Sequence, residues 1–269
     1  MPGYRRLDTS MRSRPRTFSW LFILSICLST PLQAGDPAVV AVAANFLGTA
    51  QRLVDDFTRH DGAEVRLVSG SSGQLYAQIS QGAPYDVFLS ADTARPQRLV
   101  DAGLAVGNAV TVYCRGLLAL WLPNSAMPPT LQAIQQLSGP IAIANPALAP
   151  YGAAAQSSLT QAGLWSSLQP QLVLAQNVTA AHTMVASGNA QAGIVALTTV
   201  LASNIDASEY LTLEPPVAPA VEQGAVLLTD SVNNATAAAF FAYLRSSRAQ
   251  DIISGDGYLV ASDLDGSDP

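Results

Sequence analysis

The sequence of 269 residues contains no lysine, two cysteines and two histidines. Nucleic acids and anionic membranes are bound through basic patches, and a chain without lysine lacks the cations for one. His182 has no cysteine, aspartate or second histidine at the spacing of metal ligands, and His60 lies in a polar stretch that is typical of an exposed side chain. We therefore expect no nucleic-acid or membrane partner, no bound metal cation and no cofactor.

The chain also lacks an apolar run long enough to cross a membrane. The run at residues 18–28 has about eleven residues, whereas a transmembrane helix needs roughly twenty. Five arginines precede this run, and the small and polar residues 31–37 follow it. This pattern predicts a secretory signal peptide over residues 1–34, cleaved after Ala34, and therefore an exported, periplasmic protein.

The signal peptide is compatible with two start sites, Met1 and Met11, because residues 11–34 alone contain all three of its regions. A lipid anchor on Cys27 is disfavoured, since the large Ile26 stands where a small residue normally precedes a lipidated cysteine. We assign Cys27 to the apolar core of the signal peptide.

Without residues 1–34, eight arginines and eighteen acidic residues remain, which gives the mature chain a formal net charge of −10. Its 235 residues suffice for one large domain or two small ones. Cys114 is then the one remaining cysteine, so no intrachain disulfide can form. The apolar neighbours Tyr113 and Leu117 favour a buried structural thiol at this position.

Short runs of β-forming residues alternate with segments of helical periodicity along the mature chain. Residues 39–44 predict the first strand, and apolar residues at helical spacing from Leu47 to Phe57 predict the helix that follows it. Residues 64–68 and 86–90 begin two further units of the same kind. Three successive βα units predict a mainly parallel sheet.

A second series of such units begins near Leu117 and continues to about Leu197, after which residues 222–228 could return the chain to the first sheet. The fold class predicted is therefore α/β, with two lobes. The predicted boundaries are residues 35–112 for the first part of lobe 1, 113–221 for lobe 2, 222–264 for the return segment of lobe 1, and 265–269 for a tail.

Ligands of open α/β sheets bind beyond the carboxyl ends of the strands, where helix N-termini present free N–H groups. Four strand-to-helix junctions fit this position, and none carries an arginine: residues 43–46, 69–73, 147–152 and 176–179. A neutral cradle of N–H and O–H donors can hold a divalent anion, because each hydrogen bond to a charged acceptor contributes about 1.5–3 kcal/mol. Such a cradle favours a fully ionised anion, because the O–H group of a protonated anion would face N–H and O–H donors of the protein and find no acceptor.

Each junction also has a purely structural interpretation, and the residues alone leave both open. The serines at 71 and 72 could form only a turn and a helix cap, Asn45 and Asn177 could cap helices, and Tyr151 could be a half-buried aromatic.

Two enzymatic arrangements compete with anion binding. A serine hydrolase could pair Ser71 or Ser72 with His182, and Asp86 with Asp92 could form a carboxylate pair. The sequence contains no Gly-x-Ser-x-Gly motif, so we disfavour the hydrolase and expect a protein that is not an enzyme.

Five segments, taken in order, carry a resemblance to a known family: residues 41–46, 71–79, 82–92, 142–154 and 187–197. They resemble the molybdate-binding periplasmic proteins of ABC transporters over nearly the whole mature chain, and the segment from Asn145-Pro146 to Tyr151-Gly152 is highly specific. The resemblance implies two lobes, each with a mainly parallel sheet flanked by helices, that close on molybdate or tungstate in the cleft between them. It implies a monomer without catalytic activity that delivers the anion to a membrane permease.

The resemblance also implies a set of anion contacts: Ala44, Asn45, Ser71, Ser72, Ala91, Tyr151 and Val178. Some members of the family place a serine after their first strand and a tyrosine late in the second lobe. Phe46 and Ala196 stand at those positions in this sequence, so Asn45 and Tyr151 are expected to supply the missing donors. Sulfate or another small oxyanion is the alternative ligand, because donors alone do not define the radius of a cavity.

Overall fold

The computed structural model describes residues 1–4, 36–125 and 127–260. The predicted cleavage site after Ala34 and the predicted tail at 265–269 lie outside the described residues. Within the described ranges, no helix combines the length and the apolar character that a membrane span requires.

The described part of the chain contains strands that are assigned to two sheets. They are β1 (Ala38–Ala43), β2 (Val65–Gly70), β3 (Val87–Ser90), β4 (Thr111–Gly116), β5 (Leu118–Trp121), β6 (Ile141–Ala144), β7 (Leu172–Ala175), β8 (Ala192–Ala196), β9 (Tyr210–Leu213) and β10 (Val221–Leu227).

Helices connect and cover these strands. They are α1 (Leu47–Asp61), α2 (Ser72–Ser80), α3 (Ala94–Asp101), α4 (Pro150–Gln161), α5 (Trp165–Leu168), α6 (Val178–Ala186), α7 (Leu197–Ala202), α8 (Ala235–Tyr243) and α9 (Ser247–Gly255). Short 3-10 helices occupy Ala44–Phe46, Ala133–Gln136, Gln169–Gln171 and Thr229–Ser231.

The strands form two five-stranded sheets with the orders β2-β1-β3-β10-β4 and β7-β6-β8-β5-β9. We call each sheet with its helices the first lobe and the second lobe. In each sheet three strands joined by helices run parallel, whereas the last two strands pair antiparallel. The α/β fold with two lobes is confirmed, but the sheets are mixed, because a strand that enters without a helical crossover can run antiparallel to its neighbour.

The helices bury their apolar faces on these sheets. Helix α1 packs Leu53 and Phe57 against the first sheet and ends at Gly62, whose φ of 70° only glycine adopts without strain. Gly103 follows the end of α3 in the same conformation. The paired sheets place the carboxyl ends of β1, β2 and β3 in one lobe, and those of β6 and β7 in the other, at the edges from which the site is built.

The strand assignment bears on where the chain crosses between the lobes. Strand β4 belongs to the first sheet, and β5 follows it almost at once in the second, so the crossing lies near Leu117. The predicted limit between residues 112 and 113 falls inside β4, and the return strand β10 begins at Val221. The lobe limits given by the sequence stay a prediction.

Candidate functional site

The carboxyl ends of five strands converge on one small cavity. Its walls come from both lobes, and they include backbone and side chains of Ala43, Ala44, Asn45, Ser71, Ser72, Ala91, Ala149, Pro150, Tyr151, Asn177 and Val178. All seven residues that the resemblance singled out are therefore brought together around this cavity. None of its lining residues is an arginine, so its polar groups are neutral.

Ser72 is the first residue of helix α2, and its side chain is buried. Its Oγ accepts a hydrogen bond from the N–H of Ala91 at 2.9 Å. A hydroxyl has one proton to give and can accept at its lone pairs, so this bond leaves the proton of Ser72 available to an acceptor in the cavity. Ala91 thus lines the cavity and also orients Ser72.

Ser71 is the N-cap of the same helix. Its Oγ accepts from the Gln74 N–H at 3.3 Å, while the Gln74 side chain accepts from the Ser71 N–H at 3.3 Å, which forms a capping box. The structural interpretation of Ser71 therefore holds, although the residue also lines the cavity.

The second lobe contributes the first turns of α4 and α6. Tyr151 follows Pro150, the first residue of α4, and is 1% exposed, so it is more buried than the sequence suggested. Burial raises the pKa of the Tyr151 phenol well above its ordinary value, so the phenol keeps its proton and can donate it. Val178 begins α6, where an N–H has no acceptor within the helix, and Asn177 caps that turn by accepting from the Ala180 N–H at 2.8 Å.

The side chain of Asn45 is bonded inside the protein. Its Nδ2 donates to Gln223 Oε1 at 2.9 Å and to the Tyr258 hydroxyl at 3.2 Å, so both amide hydrogens are used inside the protein. Asn45 lies in the 3-10 helix Ala44–Phe46, whose first N–H groups have no partner within the helix. The donor that Asn45 offers to the cavity is therefore its backbone N–H and not its side chain.

Sequence reasoning missed a buried polar cluster beneath the cavity. Gln223 on β10 is fully buried and contacts Asn45, Tyr113 and Tyr151. The Tyr258 hydroxyl donates to the backbone oxygen of Asn45 at 2.8 Å. The sequence shows Gln223 as one of two adjacent polar residues in strand β10, which does not reveal its partners.

Hydrogen bonds join the two lobes at the rim of the cavity. The Gly73 N–H donates to the Leu148 oxygen at 2.9 Å, and Thr179 Oγ1 donates to the Ala44 oxygen at 3.0 Å. Gly73 must be small here, because a Cβ atom would lie 2.8 Å from the Leu148 oxygen. These contacts hold the lobes in a closed arrangement.

Two arginines bear on the expectation of a neutral site. Arg115, the arginine nearest the predicted crossing, pairs with Glu222 at 2.6 Å on the neighbouring strand and does not line the cavity. Arg95 lies near the cleft, since its Nη2 donates to the Ala147 oxygen of the other lobe at 3.3 Å. Its charge is paired with Asp92, so it acts at the rim rather than in the cavity.

The residues of the enzymatic alternatives are not brought together. His182 stacks on Trp121 with ring centroids 4.8 Å apart, and its Nε2 lies 3.3 Å from Ser203 Oγ. These residues line a different cavity from Ser71 and Ser72, so the hydrolase arrangement is not formed.

The carboxylates and the thiol have structural surroundings. Asp86 accepts from the Val39 N–H at 2.6 Å, whereas Asp92 pairs with Arg95, so the two aspartates do not form a pair. Cys114 is buried, as predicted, and burial raises the pKa of its thiol well above the ordinary value. The described residues contain no group of three or more histidine, cysteine, aspartate or glutamate side chains that could hold a metal ion.

Known proteins share this fold and sequence. The family of bacterial extracellular solute-binding proteins matches residues 38–259. The chain is 37% identical to the molybdate-binding protein of Rhodobacter capsulatus, over 87% of this chain and 92% of that protein. It is 34% identical to the molybdate-binding protein of Azotobacter vinelandii, over 81% of this chain and 88% of that protein.

A solved structure, the periplasmic molybdate-binding protein of Azotobacter vinelandii, superposes with a TM-score of 0.78 at 35% identity. The superposition covers 83% of this chain and 99% of that chain. These matches confirm the resemblance inferred from the five sequence segments. The chain belongs to the family of bacterial extracellular solute-binding proteins.

Proposed function

We propose that this protein binds molybdate, or its analogue tungstate, in the periplasm and delivers it to the permease of an ABC transporter. The signal peptide cleaved after Ala34 exports it, and the mature protein acts as a monomer without catalytic activity. The observation that carries the proposal is the neutral cavity closed between the two lobes and lined by all seven residues of the implied site. The names of the relatives supply the identity of the anion.

The donors around the cavity suit a fully deprotonated oxyanion. Ser72 and Tyr151 have hydroxyl protons to give from opposite lobes, and the first turns of α2 and α6 present backbone N–H groups. Helix N-termini also carry a partial positive charge, which stabilises an anion without a formal counter-charge. Several hydrogen bonds to a charged acceptor, each of about 1.5–3 kcal/mol, together offset the desolvation of a dianion.

Selection against sulfate follows from the size of the site. The donors sit on the ends of helices in two packed lobes, and the contacts between Gly73 and Leu148 and between Thr179 and Ala44 limit how far the lobes can approach. A smaller tetrahedral anion would leave some of the hydrogen bonds too long. Molybdate and tungstate, which are larger, would engage donors on both lobes at once.

Calorimetric titration of the mature protein, residues 35–269, with molybdate, tungstate, sulfate and phosphate tests this proposal. We expect molybdate and tungstate to bind and to compete with each other, while sulfate in excess leaves molybdate binding unchanged. Equal or tighter binding of sulfate would overturn the assignment in favour of a sulfate-binding protein.

Delivery to a permease needs a separate measurement. Cells that lack the gene should accumulate less molybdate from a dilute medium. Expression of the full chain, with its signal peptide, should restore uptake in these cells. Equal molybdate uptake with and without this protein would contradict the transport role and would leave the proposed binding of molybdate unaffected.

A further inference from the structure

Gln223 lies on β10, the strand that pairs with β3 on one side and β4 on the other. Its side chain is fully buried among polar side chains. Oε1 is 2.9 Å from Asn45 Nδ2 and 3.1 Å from the Tyr113 hydroxyl, and Nε2 is 3.3 Å from the Tyr151 hydroxyl. Gln223 therefore connects the core of the first lobe to a tyrosine that belongs to the second.

The direction of the hydrogen bonds in this cluster follows from one group whose role is fixed. The backbone oxygen of Asn45 can only accept, so the Tyr258 hydroxyl donates its single proton to it at 2.8 Å. The Tyr258 oxygen then accepts from Asn45 Nδ2 at 3.2 Å, which fixes the orientation of the Asn45 amide. The same Nδ2 donates to Gln223, so the Gln223 oxygen faces Asn45 and its nitrogen faces Tyr151.

An amide nitrogen can only donate. The Tyr151 oxygen must therefore accept from Gln223 Nε2, and the phenol proton points away from Gln223. Tyr151 is also one of the residues that line the small cavity between the lobes, and an anion bound there would be an acceptor for this proton. Without Gln223, the hydrogen bond that directs the phenol proton away from the protein core is lost.

We propose that Gln223 is a positioning residue that makes Tyr151 a donor to the bound anion and so sets the preference of the site for a fully deprotonated oxyanion. This inference rests on the proposed function, because it needs an anion in the cavity. It assigns Gln223 an effect on specificity although Gln223 does not line the cavity.

A double-mutant cycle with molybdate as the probe tests the inference. Gln223→Met keeps the length of the side chain but removes its hydrogen bonds, and it should weaken molybdate binding by about ten- to thirty-fold in the wild-type background. In the Tyr151→Phe background the same substitution should weaken binding by less than about three-fold, because the proton that Gln223 directs is already absent. Thermal unfolding of each variant reports on folding.

Tyr113→Phe is the matched control. It removes a donor to the same Gln223 oxygen and leaves the bond from Nε2 to Tyr151 in place, so molybdate affinity should stay within about three-fold of wild type. A loss as large as that of Gln223→Met would indicate general damage to the cluster and would overturn the inference.

Gln223→Glu provides a second measurement if the methionine variant does not fold. The carboxylate accepts the Tyr151 proton, so the phenol turns a lone pair to the cavity, where it can accept from hydrogen phosphate. Repulsion by the new carboxylate weakens the binding of both dianions. The ratio of molybdate affinity to hydrogen phosphate affinity, measured by competition at about pH 8, should also fall by about ten-fold. An unchanged ratio contradicts the inference.

The outcomes separate this inference from the proposed function. Equal losses from Gln223→Met in the two backgrounds, with wild type binding molybdate, overturn the role of Gln223 and leave the function standing. A wild-type protein that binds none of the four anions overturns the function, and the role of Gln223 with it.

Discussion

Ser71 and Ser72 are neighbours with the same side chain, yet their hydroxyl groups have different partners. Ser71 Oγ caps helix α2, whereas Ser72 Oγ accepts from the Ala91 N–H and keeps its proton for the cavity. Their spacing in the sequence does not distinguish these roles, because both follow from where strand β2 ends.

Ser72→Ala should weaken molybdate binding by about ten- to hundred-fold, or about 1.5–3 kcal/mol, since it removes a donor to a charged acceptor. Ser158→Ala is the matched control, because Ser158 is equally buried but donates to the Val217 oxygen away from the cavity. Calorimetry should find its affinity within about three-fold of wild type. Wild-type affinity in the Ser72 variant would place the anion elsewhere.

Asp56 links stability to pH. The Tyr243 hydroxyl, which donates to Asp56 Oδ2 at 2.8 Å, is the main reason that the pKa of Asp56 lies below its ordinary value of 3.8, and the charges of His60 and Arg248 lower it further. A carboxyl group whose pKa is lower in the folded than in the unfolded state stabilises the fold at any pH above its unfolded-state pKa. This stabilisation is lost as the pH falls through the folded-state pKa.

We therefore expect Asp56→Asn to lower the melting temperature at neutral pH, with a difference from wild type that shrinks as the pH falls below 3.8. Tyr243→Phe removes the main donor to the carboxylate and should reduce the pH dependence in the same direction. Thermal unfolding over a pH series measures both. A difference that stays constant down to acid pH would show that Asp56 does not titrate in this way.

Single residues also mark the limit of what the sequence could predict. All seven candidate residues, which the resemblance to the family implied, line one cavity. The strand ends and helix starts on which they lie were readable from local patterns. The partners of Asn45 were not readable, since Gln223 and Tyr258 are 178 and 213 residues away in the chain. Such long-range hydrogen bonds depend on packing that no local pattern encodes.

Among the elements, helix α6 presents a backbone donor from the second lobe at its first turn. Asn177 holds this turn through its bond to the Ala180 N–H, and Val178 follows it at the cavity. The order of the first helical turn therefore determines whether the Val178 N–H is in place.

Asn177→Ala should cost about 0.5–2 kcal/mol of stability, the usual effect of removing an N-cap, and should also weaken molybdate binding by about three- to ten-fold. Ser246→Ala removes the cap of α9, which contacts the Ala249 N–H at 3.2 Å. This control should lose similar stability without losing affinity. Unfolding and calorimetry on both variants distinguish a local role in binding from a general loss of stability.

The regular elements were largely predictable, because alternating strand and helix patterns are local. The return strand β10 lies close to its predicted position at residues 222–228. The partners of β4, β5 and β9 were not predictable, since short apolar strands of four to six residues carry no signal for the neighbour or the direction of pairing. The antiparallel part of each sheet arises from these strands.

At the scale of the whole molecule, a single substitution at the contact between the lobes can hinder their closure without disturbing the fold of either lobe. Gly73 is the second residue of α2, and a methyl group there would meet the Leu148 oxygen of the other lobe. Gly48 is the second residue of α1, and nothing lies within 4 Å of the methyl group that alanine would add. The two glycines occupy the same position in their helices, but only Gly73 faces an atom of the other lobe.

Gly73→Ala should leave the unliganded protein as stable as wild type or up to about 1 kcal/mol more stable, because alanine favours a helix. The same substitution should weaken molybdate binding by about ten-fold or more, since the clash forms only when the lobes are closed. Gly48→Ala should share the first effect and not the second. Equal affinities of the two variants for molybdate would mean that the closed contact is not required.

The neutral cavity in an acidic protein has a consequence for kinetics. With residues 1–34 removed as proposed, the chain has a net charge of −10 and repels a dianion at long range, and the cavity has no cationic side chain to counter that field. Added electrolyte screens the repulsion over a Debye length of about 8–10 Å and leaves the buried hydrogen bonds almost untouched. Encounter with the anion should therefore become faster as ionic strength rises, while its escape from the closed cavity stays nearly constant.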